Sequence, residues 1–253
     1  MITDWHFYAV AAPAVLLLGL GKGGFSGVAV LSMPLMSLVL PPIQAAAFIL
    51  PILMVQDIVG VWAFRRDYSA KNLKYLFPGG LFGLFLGWAF ARTVSDGAIL
   101  LIVGLISTVF VLYQLARRQA EARPPEPPRL AKAGLWSVVC GFTSFIANAG
   151  GPPFQVYMLP QKLPPRVYAG TSTIFFAVFN YLKFPAFIQL GAVSPGALAT
   201  SAALFPLAIA AVAGGVWLVR RVDAASFYKL VYGLTFCVGL KLMWDGARRL
   251  GAF

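Results

Sequence analysis

The chain has 253 residues, of which 60% are hydrophobic and 11% charged, with a formal net charge of +12 and two cysteines. An apolar composition sustained along the whole length excludes a water-soluble globule and describes a polytopic membrane protein. The basic excess lies in short connectors such as FRRDYSAKNLK and QLARRQAEARPPEPPRLAK, which suits loops facing an anionic leaflet rather than a nucleic-acid surface.

Apolar segments run over about 5–40, 43–63, 73–91, 97–116, 133–160, 167–189, 196–219 and 226–247. Most have the ~20 residues a helix needs to cross the hydrocarbon, and none alternates with the period of a barrel strand, so the spans are helical. Asp4 precedes the first segment, and no removable targeting segment is expected.

The first segment, 5–40, is too long for one straight span. Between Asp4 and Asp57 its only formal charge is Lys22, inside GLGKGGFSG at 19–27. Glycine costs a helix ~1 kcal/mol per residue, so this stretch is expected to be unwound. Unwound backbone at membrane depth is tolerated only where it faces protein or a water-filled cavity. The N–H groups of Gly23 and Gly24, the Ser26 hydroxyl and the Lys22 ammonium would suit a bound anion there. Two other readings stand beside this one: glycines that only allow close packing, and a lysine that snorkels to an interface.

Asp57, late in the second segment, is a proton carrier, a coupling-cation ligand or the partner of Lys22, unless its nearness to Arg65 and Arg66 makes it merely interfacial. In the third segment GLFGLFLG at 80–87 reads as a packing stripe. The proline-rich tract 119–132 is the one polar linker, and it divides a first repeat, 1–118, from a second, 133–253. The fifth segment, 133–160, is interrupted by NAGGPPF at 148–154, where proline adds a penalty of ~3 kcal/mol. Asn148, the amides of Gly150 and Gly151, and Gln155 are candidate anion ligands at this second break, with Thr171 and Asn180 in the segment that follows. Lys183, three residues beyond Asn180, carries the same ambiguity as Asp57.

The halves match in order. Leu-Pro-Pro at 40–42 returns at 163–165, Phe77-Pro78 as Phe205-Pro206, Gly104-Leu105 as Gly233-Leu234, and Ala-Arg-Arg at 116–118 as 247–249. In the Leu-Pro-Pro register Asp57 aligns with Asn180. If every segment crossed, the Lys and Arg residues assigned to the connectors and the C-terminus would divide 11 to 6 between the two sides; if the first segment of each half re-enters, they divide 14 to 3. The positive-inside rule selects the second arrangement. Each half then has three crossings and a hairpin, which inverts one repeat against the other and places both termini outside the cytoplasm. Paired broken segments at matching positions of two halves mark a transporter binding site at the midplane.

The glycine-rich first segment ending in Pro34, the LPPIQAA that follows, and AGGPPFQVYMLP with GTSTIFFAVFN in the second half resemble the sulfite exporter TauE/SafE family over almost the whole chain. Gly23, Gly24, Pro34, Gly150, Gly151, Pro152, Thr171 and Asn180 match that pattern, whereas FILPILMVQD after LPPIQAA departs from it. The resemblance implies a multi-pass carrier of the bacterial inner membrane for small sulfur-containing anions such as sulfite, sulfonates, sulfoacetate or thiosulfate. An anion channel and a membrane-embedded enzyme are the alternatives. The expected partners are a small anionic substrate and the bilayer, with a homo-oligomer left open. No cofactor or metal is expected, since Cys140, Cys237 and His6 form no ligand pattern.

Overall fold

The computed structural model describes residues 2, 4–23, 28–118, 124–218 and 224–251, and among them there are helices and turns but no strand. The first half holds α1 (Trp5–Lys22), a 3-10 turn (Val28–Leu31), α2 (Ser32–Met36), α3 (Pro42–Phe64), α4 (Ala70–Phe90) and α5 (Asp96–Arg118). The second holds α6 (Leu130–Ala147), α7 (Gly151–Met158), a 3-10 turn (Leu159–Gln161), α8 (Pro165–Gln189), α9 (Pro195–Ala203), α10 (Phe205–Leu218) and α11 (Ala224–Arg249). Prolines open α3, α8 and α9, where a missing amide costs nothing. Asp4, Ser69 and Ser194 cap α1, α4 and α9 through their side-chain oxygens. The His6 amide, helped by the His6 ring, holds the Asp4 carboxyl below its ordinary value.

Helices α1, α3, α4, α5, α6 and α8 are long and apolar enough to cross a membrane, and α9 with α10, bent by 43°, makes a seventh candidate as one broken span. The segment 196–219 is thus two helices rather than one. The eighth apolar segment is α11, which carries Lys241, Asp245, Arg248 and Arg249 in its C-terminal turns and is not among the candidates that the described residues give.

Both long first segments double back. After Lys22 the chain returns along α1, with Ser32 Oγ donating to the Ala14 carbonyl at 2.9 Å. Phe7, near the start of α1, meets Phe48, near the start of α3, with ring centroids 5.1 Å apart. In the second half α6 stops at Asn148, whose φ of 48° is left-handed, a conformation that asparagine adopts more readily than most residues. The returning chain ends with Pro160 accepting from the Glu126 amide at 3.0 Å, beside the start of α6. Each segment therefore turns back toward the end at which it began.

The breaks are narrower than the glycine and proline penalties predict. Helix α1 continues through Gly21 and Lys22, and α7 already begins at Gly151, so only 148–150 of NAGGPPF are non-helical. Prolines are disruptive in a helix interior but fit its first turn, and Pro152 and Pro153 stand there.

Four helix pairs make the main interfaces: α4 with α6, α5 with α11, α1 with α10, and α3 with α8. Glycines set their directions. Gly79, Gly83 and Gly87 of α4 meet Gly134, Val138 and Phe145 of α6 in parallel. Gly19 and Gly23 of α1 meet Ala211 and Gly215 of α10, also in parallel. Gly97 and Gly104 of α5 meet Gly246 and Gly239 of α11 in antiparallel order. In the α3–α8 pair, also antiparallel, Gly60 lies against Thr173.

A Cβ on Gly83 would stand 2.0 Å from the Val138 carbonyl oxygen, whereas one on Gly134 would meet nothing within 4 Å. Gly83→Ala is expected to destabilise the detergent-solubilised protein by about 1–3 kcal/mol through overpacking. Gly134→Ala is expected to be neutral or to stabilise by up to ~1 kcal/mol through helix propensity. Thermal unfolding of the two variants side by side checks this, and equal melting temperatures would contradict the close α4–α6 seam.

Candidate functional site

The two breaks meet around one cavity of about 490 Å³. Its polar wall comes from Lys22 and Gly23 at the end of α1, Ser144 and Asn148 at the end of α6, Gly151 and Gln155 of α7, and Asn180 and Lys183 of α8. Its apolar wall includes Leu18, Val30, Met33, Leu53, Val103 and Phe176. The cavity also touches Ala63 and Phe64 at the end of α3, and Pro165 and Arg166 at the start of α8. The Arg166 side chain is 73% exposed and pairs with Asp67 at 3.1 Å, so this part of the wall reaches the protein surface.

At the first break Lys22 donates to Asp57 Oδ1, and Asn180 Nδ2 donates to Asp57 Oδ2 at 2.6 Å. The Asp57 side chain is fully buried and that of Lys22 is 13% exposed. Both carboxylate oxygens thus have donors, which a buried charge requires. Asp57 sits two turns before the end of α3, and its side chain is wholly enclosed by protein. Of the roles open to it, the geometry supplies the pairing with Lys22. The Lys22 ammonium is turned to this carboxylate rather than to the protein surface.

At the second break Lys183 is 1% exposed. Its ammonium donates to Asn148 Oδ1 at 2.6 Å, the Ser144 carbonyl at 3.1 Å and Ser144 Oγ at 3.3 Å. Asn148 Nδ2 in turn donates to the Ala46 carbonyl of α3 at 3.0 Å, tying this break to the first half. Cys140 Sγ donates to the Gly150 carbonyl at 3.1 Å.

Of the sequence candidates, Lys22, Gly23, Asn148, Gly151, Gln155 and Asn180 share the cavity wall. Asp57 joins them through Lys22 and Asn180. Gln155 accepts from Gln114 of α5 at 3.1 Å. Gly150 and Thr171 are not on the wall. Gly150 packs against α6, and Thr171 accepts from the Ser69 amide and donates to the Val167 carbonyl, fastening α8 to the α3–α4 connector. Gly24 and Ser26 lie outside the described residues. Lys183 and Ser144 take places the candidate set did not give them. One signal was available, because Lys183 follows Asn180 by three residues and so shares its helix face. The α5 residues Val103, Ser107 and Gln114 had no local signal at all.

A family model described as Sulfite exporter TauE/SafE matches residues 11–242. No curated protein and no solved structure matches the chain.

Removing one partner of a buried ion pair leaves the other charge uncompensated and costs about 3–5 kcal/mol. Lys22→Met is expected to destabilise on that scale, and the joint Lys22→Met and Asp57→Asn change to recover most of the loss. Melting temperatures of the two variants and the wild type measure this. A double variant no more stable than the single one would mean that the pair is not the source of the loss.

Proposed function

Because the chain belongs to the sulfite exporter TauE/SafE family, a family of membrane transporters of sulfur anions and not of enzymes, we propose that it is a secondary transporter working by alternating access. Its substrates are small sulfur-containing anions of the sulfite, sulfonate, sulfoacetate or thiosulfate class, and its place is the bacterial inner membrane. The observation that carries this reading is the single cavity at which the breaks of both halves meet, with Lys22 and Lys183 on its wall. Lys22, Gly23, Asn148, Gly151, Gln155 and Asn180 are the proposed binding groups. Asp57, which holds Lys22, is the candidate coupling group, since a proton or cation taken up there would release the lysine.

We propose further that residues 1–118 and 133–253 are inverted repeats joined by 119–132. The helix pairs favour this reading. Exchanging the halves turns the α4–α6 pair into the α10–α1 pair and returns the α3–α8 and α5–α11 pairs to themselves. Asp57 and Asn180, equivalent in the Leu-Pro-Pro register, hydrogen-bond to each other, as groups near a two-fold axis would. The cavity wall reaches Arg166, at the end of the bundle that holds Arg65, Arg66 and the connector residues 124–129. The positive-inside rule makes that end cytoplasmic.

In proteoliposomes, uptake of labelled sulfite or thiosulfate is expected to saturate and to accelerate when the opposite side is loaded with unlabelled anion. A non-saturating conductance without exchange would replace the carrier by a channel. Reporter fusions at the C-terminus and at Pro125 are expected to be extracytoplasmic and cytoplasmic, respectively. Finding both in the cytoplasm would end the inverted arrangement.

A further inference from the structure

The two lysines on the cavity wall are held in unlike ways. Lys22 faces a carboxylate, and the second oxygen of that carboxylate is taken by Asn180. Lys183 is only 1% exposed, yet its three acceptors, one amide oxygen, one carbonyl and one hydroxyl, are all neutral. No described acidic side chain lies within ion-pair distance of it. An ammonium at membrane depth is expensive unless an opposite charge answers it. The C-terminal dipole of α6, reached through the Ser144 carbonyl, supplies the equivalent of about −0.5 charge. Asp57 attracts the ammonium only from beyond ion-pair distance and is itself engaged by Lys22 and Asn180.

The backbone at this break is a poor substitute for a side-chain cation. A helix N-terminus binds anions through its first free amides, but the second and third residues of α7 are Pro152 and Pro153, which have none. The next amide, of Phe154, is engaged by the Gly150 carbonyl at 3.2 Å. What remains to meet an anion is the Lys183 ammonium, with Asn148 and Gly151 beside it on the wall.

We propose that Lys183 is the cation that first pairs with the transported anion, while Lys22 stays held by Asp57 until that carboxylate takes up a proton or cation. The assignment rests on the reading that the cavity takes a small anion. On binding, an anionic oxygen replaces Ser144 Oγ, the longest of the three acceptors. The anion thereby supplies Lys183 with the negative charge that its three neutral acceptors lack.

The test is calorimetric titration of the purified full chain with sulfite and, separately, with ethanesulfonate, after a thermal melt of each variant. Lys183→Met is expected to weaken binding about 10- to 150-fold, the loss of one charge-assisted contact. Asn148→Asp guards against a Lys183→Met protein that fails to fold. Asn148 already lies 2.6 Å from the ammonium, and aspartate also tolerates the left-handed backbone, so this change gives Lys183 a permanent carboxylate while keeping it buried. It loses the bond to the Ala46 carbonyl, but it is expected to fold and to bind the probes at least tenfold more weakly. A folded Asn148→Asp or Lys183→Met protein that binds either probe within threefold of the wild type overturns the assignment and reduces Lys183 to a cap on α6. A wild-type protein that binds neither probe removes the anion-site reading itself and this assignment with it.

Discussion

A helix that stops inside hydrocarbon leaves carbonyls and amides that lipid cannot satisfy, and the centre of this protein is organised around that constraint. At the end of α6 the Asn148 and Ala149 amides return to the carbonyls of Ser144 and Thr143. Lys183 takes the Ser144 carbonyl, and Cys140 takes that of Gly150. Asn148 also reaches across to Ala46 in α3, a helix already loosened by Pro51. Ser201 of α9 takes the neighbouring Phe48 carbonyl. The side chains that close these broken ladders are held by doing so, and several of them form the cavity wall. Satisfying the backbone and positioning the polar groups are one physical act.

Around this centre the outer helices are joined through glycine. Where Gly83 and Gly141 meet the backbones of α6 and α4, the helices come close enough for dense van der Waals packing, the main attraction left once lipid has removed the hydrophobic difference between partners. The α5–α11 seam uses Gly97, Gly104, Gly239 and Gly246 in the same way. Bulky side chains such as Phe82, Phe85 and Trp88 are left exposed on the outside of α4, where an apolar solvent accepts them. The inner pair, α3 and α8, packs more polar residues, including Asp57, Thr173, Asn180 and Lys183. Seam and site thus differ in chemistry because they differ in what surrounds them.

Much of this arrangement was legible in the amino-acid order. Hydrophobic length gave the crossing helices, and the charge imbalance favoured first segments that turn back, as both do. The Leu-Pro-Pro register aligned Asp57 with Asn180 as equivalent positions, but that the two side chains touch was not legible. The exact extent of each break was not legible, since a penalty per glycine or proline does not say where a helix ends. Pro152 and Pro153 look like interruptions but serve as a first turn. The depth of Lys183 was hidden for another reason. Its position near the end of an apolar segment suits an interface equally well, and only the folding of α6 beneath it removes the water. The contribution of α5 is purely tertiary, as Gln114 finds Gln155 across 41 residues with no pattern to announce it.

The partnering of the two buried lysines also bears on how the chain enters the bilayer during synthesis. A lysine at a helix centre opposes insertion by about 2.5–3.5 kcal/mol, and a nascent chain meets that cost before the whole protein exists. Lys22 finds Asp57 35 residues further on, and Lys183 finds Asn148 35 residues earlier. Each half therefore carries the means to settle its own lysine as it leaves the ribosome. The bonds from Asn180 to Asp57 and from Asn148 to the Ala46 carbonyl wait for the halves to meet. Insertion can then proceed half by half, each ammonium meeting a hydrogen-bonding partner from its own half.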